Sequence, residues 1–383
     1  MNSGSPTRIE AIDLARGMAV SLMILSHGIK GLLSFEQFPD WGLVPIHLIT
    51  KFSSTIFFLV FGLTLAVVFA PATQDSSLWP QKRKKLFTRG LIILFWYKIL
   101  TIIEMSHLHR TDEILDALLY LKFPSYAEIL DFYALALLWI PFLLPFWQKS
   151  SLFLKACFPL FFALLTYLLT EHLDFGIFYQ VKALLIEEDG LYTWGQLSRA
   201  PFVFLGMFIG HYYTSYYQVP SSRIKFSGLL ALVSILIFAA FLFIYKGELY
   251  LTFFSLAENV GKHPPQMPFI LFSLSGALAT ISFTTLIGDK GAKWLTPITL
   301  IGKETLSAFV FHLTILFLVY RLFLGLWLDV TYPQALALTI LLFVLTAGWA
   351  KFRNWRKKHE KSKVLRRSGN SPRGLVSHEF KTN

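Results

Sequence analysis

The sequence predicts an all-α protein, a polytopic transmembrane helix bundle of about ten spans with both termini cytoplasmic. Its 383 residues are 55% hydrophobic and 16% aromatic, and the mean hydropathy is +0.56. Charged residues make up 15% of the chain, whereas a soluble domain of this length has about 25%. The basic residues lie in short segments between long apolar runs and near the C-terminus, which is the distribution typical of a membrane protein.

Ten apolar segments account for the predicted bundle. A helix needs about 20 predominantly apolar residues to cross a hydrocarbon core about 30 Å thick. The first segment is too long for a signal-peptide core and lacks a small-residue cleavage site, so we expect it to remain as the first span. The predicted spans, in chain order, are 12–33, 48–70, 86–104, 126–147, 150–170, 199–217, 227–246, 267–287, 298–320 and 333–351.

The basic residues also predict an orientation, because Lys and Arg accumulate in short cytoplasmic loops. If the N-terminus is cytoplasmic, the loops assigned to the inner face carry more Lys and Arg than the longer outer loops, with the densest group at 82–89. Ten spans place the C-terminus on the same side. We therefore expect a transmembrane domain over 1–351 and a basic, disordered cytoplasmic tail over 352–383, held near anionic membrane lipid.

Composition argues against several functional classes. A formal net charge of +12 would suggest nucleic-acid binding in a soluble protein, but here the basic residues follow the loop pattern, so we expect no nucleic-acid partner. The single cysteine, Cys157, allows no intrachain disulfide and no cysteine-based metal site. The sequence has no Walker loop, dinucleotide fingerprint, HExxH or GxSxG motif. We expect no metal and no tightly bound cofactor.

Three segments predicted to face outward, 104–116, 171–189 and 247–266, combine acidic residues with histidine. Such segments could bind a cation or the hydroxyl groups of a sugar. Solvated loops explain the same composition without a ligand and are the commoner case. These segments therefore assign no function by themselves.

The first predicted span carries ionisable residues along one face. Asp13 and Arg16 are three residues apart, the spacing of an ion pair on a helix. Ten residues separate Arg16 from His27, which corresponds to three turns plus about 20°, so both side chains lie on one face about 16 Å apart along the axis. Lys30 lies one turn beyond His27. Ionisable residues within a span cost several kcal/mol unless they face a cavity or a partner.

Two interpretations fit this face. In the first, Asp13 and Arg16 neutralise each other at the membrane interface and His27 forms a hydrogen bond to a neighbouring helix. In the second, the face is a polar track for chemistry. A neutral histidine can then take a proton from a hydroxyl group, and an arginine near the cytoplasmic side can bind the phosphates of an anionic donor.

Five segments carry a resemblance to the membrane-bound acyltransferase-3 superfamily. RIEAIDLARGMAVSLMILSH (Arg8–His27) resembles its opening helix, which has an LDxxRG stretch and an Arg and His separated by ten residues. FSSTIFFLVFGLTLAVVF (Phe52–Phe69) is similar to its second helix, and LIGKETLSAFVFHLTIL (Leu300–Leu316) resembles its late His-containing helix. EILDFYALALLW (Glu128–Trp139) is similar to the glucan succinyltransferase branch. KHPPQMPFILFSLSGALA (Lys262–Ala279) is similar to the heparan-glucosaminide acetyltransferase-like branch.

The resemblance implies an O-acyltransferase in the bacterial inner (plasma) membrane. Such an enzyme moves an acetyl or succinyl group from cytoplasmic acyl-CoA to a hydroxyl of an extracytoplasmic glycan or lipid-linked sugar. Acyl-CoA is then a substrate, and membrane lipid and the glycan are the other partners. The catalytic residues would be His27 as general base, Arg16 at the donor phosphates and Asp13, which orients Arg16.

Other residues would support this chemistry. The resemblance places His312 at the family's second histidine. Asp131 in the fourth span would pair with a buried cation or orient a histidine, or it would be a structural residue near the membrane interface. The family usually has Arg-x-x-Arg at the start of the third helix, where this chain has KRKKLFTRG (Lys82–Gly90). Lys85 and Arg89 are therefore the donor-binding candidates there, although their spacing differs from the family pattern.

Two other functional classes remain open at this level. A secondary transporter or flippase for a polar or glycan-linked solute would also need polar residues within the bundle, but it favours broken helices in matching halves, and no such repeat is evident. A non-catalytic scaffold would not need a polar face from Arg16 to His27. The sequence does not indicate an oligomeric state.

Overall fold

The computed structural model describes residues 8–34, 44–188 and 191–367, and this part of the chain is helical. Two π-helical segments, Leu65–Phe69 and Ile315–Phe323, extend the third and fourteenth helices. The helices are α1 (Glu10–Leu32), α2 (Val44–Thr50), α3 (Phe52–Thr64), α4 (Trp79–Met105), α5 (Thr111–Leu118), α6 (Glu128–Lys149), α7 (Leu152–His172), α8 (Tyr179–Ile186), α9 (Gln196–Tyr217), α10 (Pro220–Ile244), α11 (Leu249–Ala257), α12 (Met267–Trp294), α13 (Thr296–Lys303), α14 (Thr305–Thr314) and α15 (Tyr332–Arg367).

Nine spans in the described ranges are long and apolar enough to cross a membrane, which confirms the predicted all-α polytopic bundle. They are carried by α1, α3, α4, α6, α7, α10, α12, α14 and α15. The sixth predicted span, 199–217, also forms a long helix, α9, but this helix is more polar than the other nine. It packs between α3 and α7 and buries Gln196, Ser198 and Arg199. Contact with protein on several sides explains why α9 needs fewer apolar residues than a helix facing lipid.

The polar first helix lies in the middle of the bundle. α1 contacts α3, α12, α13 and α15, and Ala11, Leu14, Ala19 and Val20 are fully buried. In contrast, α7 and α10 leave most of their apolar side chains exposed, as expected for helices that face lipid. The ionisable residues of α1 therefore lie within the protein, where neighbouring helices can provide hydrogen-bond partners.

The ninth predicted span, 298–320, is interrupted. A short helix, α13, ends at Lys303, and α14 begins at Thr305 after Glu304 departs from helical geometry (φ −111°, ψ 32°). The chain then continues through α14 into the π-helical segment. Because of this break, α13 packs against α1 at the end of the bundle where α1 begins, and α14 is the part that crosses the membrane.

The C-terminal tail departs from the sequence-based prediction. Helix α15 continues past residue 352 to Arg367. Aromatic rings along the first part of this extension contact one another, and Lys357 Nζ lies 2.6 Å from a carboxylate oxygen of the buried Glu304. These contacts stabilise helical structure in a polar segment, so the predicted disorder does not begin at residue 352. The remainder, 368–383, lies outside the described residues.

The contact between α3 and α9 depends on glycine, and we expect Gly206→Ala to destabilise the protein. A Cβ atom at Gly206 would lie 2.1 Å from the Leu59 carbonyl oxygen, and one at Gly62 would lie 1.8 Å from that of Val203. Because backbone atoms occupy both positions, the helices must separate, at a cost of about 1–3 kcal/mol. Thermal unfolding in detergent should show a lower midpoint for Gly206→Ala.

The matched control is Gly228→Ala on α10, where a Cβ atom would meet no other atom within 4 Å. Alanine favours a helix over glycine by about 1 kcal/mol, so this variant should be at least as stable as the wild type. Equal midpoints for the two variants would show that the α3–α9 contact is not as close as described.

Candidate active site

Two histidines from distant parts of the sequence meet inside the bundle. His27 Nδ1 on α1 lies 3.1 Å from His312 Nε2 on α14. The two rings are nearly parallel, with an interplanar angle of 13° and centroids 5.4 Å apart. Tyr126 and Phe309 contact the edges and faces of the His27 ring. The pair is therefore held by a hydrogen bond and by aromatic packing.

The hydrogen bonds of His312 determine which nitrogen of His27 is free. His312 is fully buried, and its Nδ1 lies 3.1 Å from the Ala308 carbonyl oxygen, which can only accept a hydrogen bond. His312 Nδ1 must therefore carry the proton, and in the neutral ring Nε2 is the acceptor. His27 Nδ1–H then donates to His312 Nε2. This arrangement leaves the unprotonated Nε2 of His27 available as a base.

A polar cavity lies beside this pair. It has a volume of about 430 Å³ and is lined by α1, the junction of α2 and α3, the start of α6, and the loops before α9 and α12, and its volume lies within the range of about 300–1,000 Å³ of small-molecule sites. We refer to it as the polar cavity. Its ionisable and aromatic lining residues include His27, Lys30, Lys51, Tyr126, Glu128, Trp194, Lys262 and His263.

The other end of α1 carries the predicted ion pair. Arg16 Nη1 lies 3.2 Å from Asp13 Oδ1, and Arg16 Nη2 donates to the Thr64 hydroxyl on α3 at 2.8 Å. Arg8 Nε lies 2.5 Å from the other oxygen of Asp13. Asp13 thus bridges two arginines, and α3 and Asp13 together fix the direction of the Arg16 side chain.

The two donor-binding candidates on α4 lie on one face of the helix, because they are four residues apart. Both side chains are exposed. Arg89 lies within electrostatic range of Arg16, so the structure brings these two guanidinium groups to the same end of the bundle.

Asp131 is buried but does not contact the histidine pair. Its carboxylate accepts hydrogen bonds from the hydroxyls of Tyr120, at 2.6 Å, and Tyr192, at 3.1 Å. Both tyrosines belong to segments that connect helices at the same end of the bundle as the polar cavity. Asp131 therefore fixes these connecting segments; among the described residues its hydrogen bonds go to the two tyrosines, and Lys98 lies within electrostatic range.

Arg199, near the start of α9, lies inside the protein. The default expectation for such a residue is that its side chain extends to the membrane surface. Instead, Arg199 is 1% exposed and its Nη2 donates to Glu187 Oε2 at 3.1 Å and to the Lys262 carbonyl at 2.9 Å. The ion pair holds the end of α8 against α9, and the hydrogen bond to the Lys262 carbonyl anchors the loop before α12 at the start of α9.

Sequence reasoning missed several residues of the polar cavity. Lys51 is 2% exposed and lies at the junction of α2 and α3. It falls inside the predicted span 48–70, and a lysine within an apolar span is a signal for a functional site. Outside the polar cavity, the sequence did not indicate that Glu104 is an anchor, although its carboxylate accepts hydrogen bonds from the backbone N–H groups of Ser125 and Tyr126. No sequence signal placed Lys262 beside His27.

The fold and the site define a multi-pass integral membrane protein with a histidine pair between a polar cavity and a partly buried arginine. The family model named for acyltransferase 3 and described as an acyltransferase domain matches residues 9–350. The chain therefore belongs to the acyltransferase-3 family and is an acyltransferase enzyme, which confirms the family that the sequence resembles. Among the curated proteins compared with the chain, none matches.

Proposed function

We propose that this enzyme transfers an acetyl or succinyl group from cytoplasmic acyl-CoA to a hydroxyl of an extracytoplasmic glycan or lipid-linked sugar. The observation that carries the proposal is the His27–His312 pair, whose free Nε2 belongs to a residue that lines the polar cavity. Arg16 lies toward the opposite end of the same helix, about 16 Å away along its axis. A base beside the polar cavity and a cation toward the other end of the helix suit two substrates that approach from opposite sides.

In this mechanism His27 acts as a general base. Its Nε2 takes the proton of the acceptor hydroxyl while the hydroxyl oxygen attacks the thioester carbonyl carbon. The carbon–sulfur bond breaks as the new ester forms, and the His27 imidazolium returns the proton to the departing CoA thiolate. His312 accepts the His27 Nδ1–H throughout, so it keeps the ring in the orientation and tautomer that the reaction needs.

Arg16 is proposed to bind the donor. The guanidinium group is permanently charged and matches the geometry of phosphate oxygens, and Arg89 adds a second positive charge at the same end of the bundle. Asp13 orients Arg16. The long pantetheine arm of CoA can then carry the thioester along α1 toward His27.

The basic loops support an orientation with the Arg16 end of α1 in the cytoplasm. The group at 82–89, the lysines of the α12–α13 region and the basic part of α15 all lie at that end, as expected for cytoplasmic segments. The polar cavity then opens toward the extracytoplasmic side, and the proposed location is a bacterial inner membrane.

Membrane vesicles of defined orientation test this proposal. Labelled acetyl-CoA or succinyl-CoA should transfer its acyl group to glycan when it reaches the cytoplasmic face, as in inverted vesicles, but not when it is confined to the opposite face. Arg16→Ala should raise the KM for acyl-CoA by about ten- to a hundredfold, because it removes charge-assisted hydrogen bonds to phosphate.

Arg110→Ala is the matched control, since Arg110 is an exposed arginine at the opposite end of the bundle and should leave the KM unchanged. Transfer from acyl-CoA supplied at either face would contradict the proposed sidedness. An unchanged KM in Arg16→Ala would contradict the donor-binding role of Arg16.

A further inference from the structure

Three lysines from three different elements converge on the polar cavity. Lys30 lies on α1, Lys51 at the junction of α2 and α3, and Lys262 in the loop between α11 and α12. Because the three lysines belong to different elements, they cannot be explained as the solvent-exposed face of a single helix. Their convergence is a property of the tertiary structure, and it places three positive charges around one space.

Among the described residues, no acidic side chain forms an ion pair with any of these three lysines. The ion pairs nearest to this region, Arg199 with Glu187 and Lys182 with Glu188, do not include any of the three lysines. Lys51 Nζ donates to the Ala257 carbonyl at 2.9 Å and to Asn259 Oδ1 at 2.5 Å, both uncharged groups. Glu128 is the acidic residue that lines the cavity, and its carboxylate accepts a hydrogen bond from the Thr193 hydroxyl. The described lining therefore carries more positive than negative charge.

Clustered like charges in a half-enclosed space of low dielectric repel one another strongly. Burial and the nearby Lys30 ammonium group lower the pKa of Lys262 to about 7, and a bound anion would raise it. Ionisable groups retained at membrane depth indicate a ligand or a transport path. An anion in the polar cavity is the ligand that would stabilise this arrangement.

The remaining lining residues fit a saccharide better than a purely apolar ligand. Ser26, Ser53, Thr50 and Asn259 line the cavity with hydroxyl and amide side chains, and the Trp194 ring lines it beside Lys262, whose Nζ lies 5.2 Å from the ring centroid. Small-molecule sites combine such aromatic surfaces with a few placed polar groups that fix orientation. Hydroxyl groups of a sugar could donate to and accept from these side chains.

The position of Lys30 links the anion to the reaction. Lys30 follows His27 by three residues on α1, so the two side chains lie on the same face about 4.5 Å apart along the axis. An anionic group bound at Lys30 would therefore hold a nearby hydroxyl of the same molecule close to His27 Nε2. The binding of the charge and the choice of the acylated hydroxyl would be coupled.

We propose that the acceptor is an acidic saccharide, whose carboxylate or phosphate group binds Lys30, Lys51 and Lys262 and presents a neighbouring hydroxyl to His27. This inference rests on the proposed function, since it names the class of acceptor for that reaction.

Anion binding in the absence of acyl-CoA tests the inference separately from catalysis. The purified protein in nanodiscs of zwitterionic lipid is titrated calorimetrically with D-glucuronate, inorganic phosphate and, as a neutral probe, D-glucose. Glucuronate and phosphate should bind saturably, more tightly than glucose, and more weakly at high salt. Lys30→Gln and Lys262→Gln should each weaken the binding of both anions by about ten- to a hundredfold.

Lys246→Gln is the matched control, because Lys246 is exposed at the same end of the bundle and outside the cavity lining. It should bind both anions as the wild type does. Equal affinity for glucose and glucuronate, absence of saturable binding of both anions, or equal losses in all three lysine variants would overturn the proposal. Phosphatidylglycerol that displaces both anions when added to the nanodiscs would assign the site to a lipid headgroup instead and also overturn it.

The same protein distinguishes this inference from the proposed function. Anion binding that depends on Lys30 and Lys262, without any acyl transfer from acyl-CoA, would refute the proposed function and leave the anion site. Transfer that depends on His27 and proceeds equally well to neutral and acidic sugars would support the proposed function and refute the acidic acceptor.

Discussion

Replacing His27 by alanine is expected to lower kcat for acyl transfer by about a hundred- to ten-thousandfold, the contribution typical of a general base. The variant removes the nitrogen that takes the hydroxyl proton. It does not remove Arg16 or the lysines of the polar cavity, so the KM for acyl-CoA should change little. Transfer of labelled acyl groups at saturating acyl-CoA, measured in membranes with matched protein content, gives this result directly.

Two further variants make the His27 result interpretable. His27→Gln keeps a polar side chain of similar length and should be as inactive as His27→Ala, because an amide cannot accept the proton. His172→Ala removes an exposed histidine at the C-terminal end of α7 and should retain full activity. If His27→Ala keeps more than about a tenth of the wild-type kcat, the effect is smaller than general-base catalysis provides and another group must serve as the base.

The spans could be predicted because the bilayer leaves few structural choices. Each backbone polar group must be satisfied inside the span, so a long apolar segment in this chain is a helix. The same criterion predicted helix α9 from its apolar residues, although the first turn of this helix is polar. The break at Glu304 could not be predicted in this way, since the sequence on both sides remains compatible with one continuous helix. Only the packing of α13 against α1 shows why the chain bends there.

In the tail, the structure has a helix where the composition predicts disorder. The residues after 352 are polar and basic, and a compositional criterion assigns such a segment to disorder. Composition does not show that Lys357 forms an ion pair with Glu304, the residue at the break between α13 and α14. Nor does it show that aromatic side chains along the start of the extension pack against one another. Long-range contacts of this kind are set by the tertiary structure.

The candidate site was predictable in part. Helical periodicity alone places Arg16 and His27 on one face, and the structure gives each of them partners on neighbouring helices. The contact between His27 and His312 joins residues 285 positions apart, which no local pattern can indicate. It was suggested only by the family resemblance of the late helix. Lys262 could not be assigned at all, because its position depends on how the loop between α11 and α12 folds against the polar cavity.

His312 is expected to act through His27, and this gives the second large effect. In His312→Ala the Nδ1–H of His27 loses its acceptor, so the ring can rotate or shift its proton to Nε2, where it can no longer act as a base. Loss of the partner that fixes a catalytic histidine tautomer has lowered kcat by about ten-thousandfold in serine proteases. We expect a fall of at least about a hundredfold in kcat for His312→Ala, with the KM for acyl-CoA unchanged.

A conservative variant separates this positioning role from a merely structural one. His312→Gln offers an amide oxygen that can accept from His27 Nδ1–H, so it should recover part of the activity that His312→Ala loses. The ¹⁵N chemical shifts of the His27 ring should report a proton on Nδ1 in the wild type and in His312→Gln, and a mixture of tautomers in His312→Ala. Equal activity of the alanine and glutamine variants, with no change in the His27 tautomer, would show that His312 only fills space. Partial recovery together with the restored tautomer would establish that the buried histidine on α14 determines which nitrogen of His27 takes the proton of the acceptor.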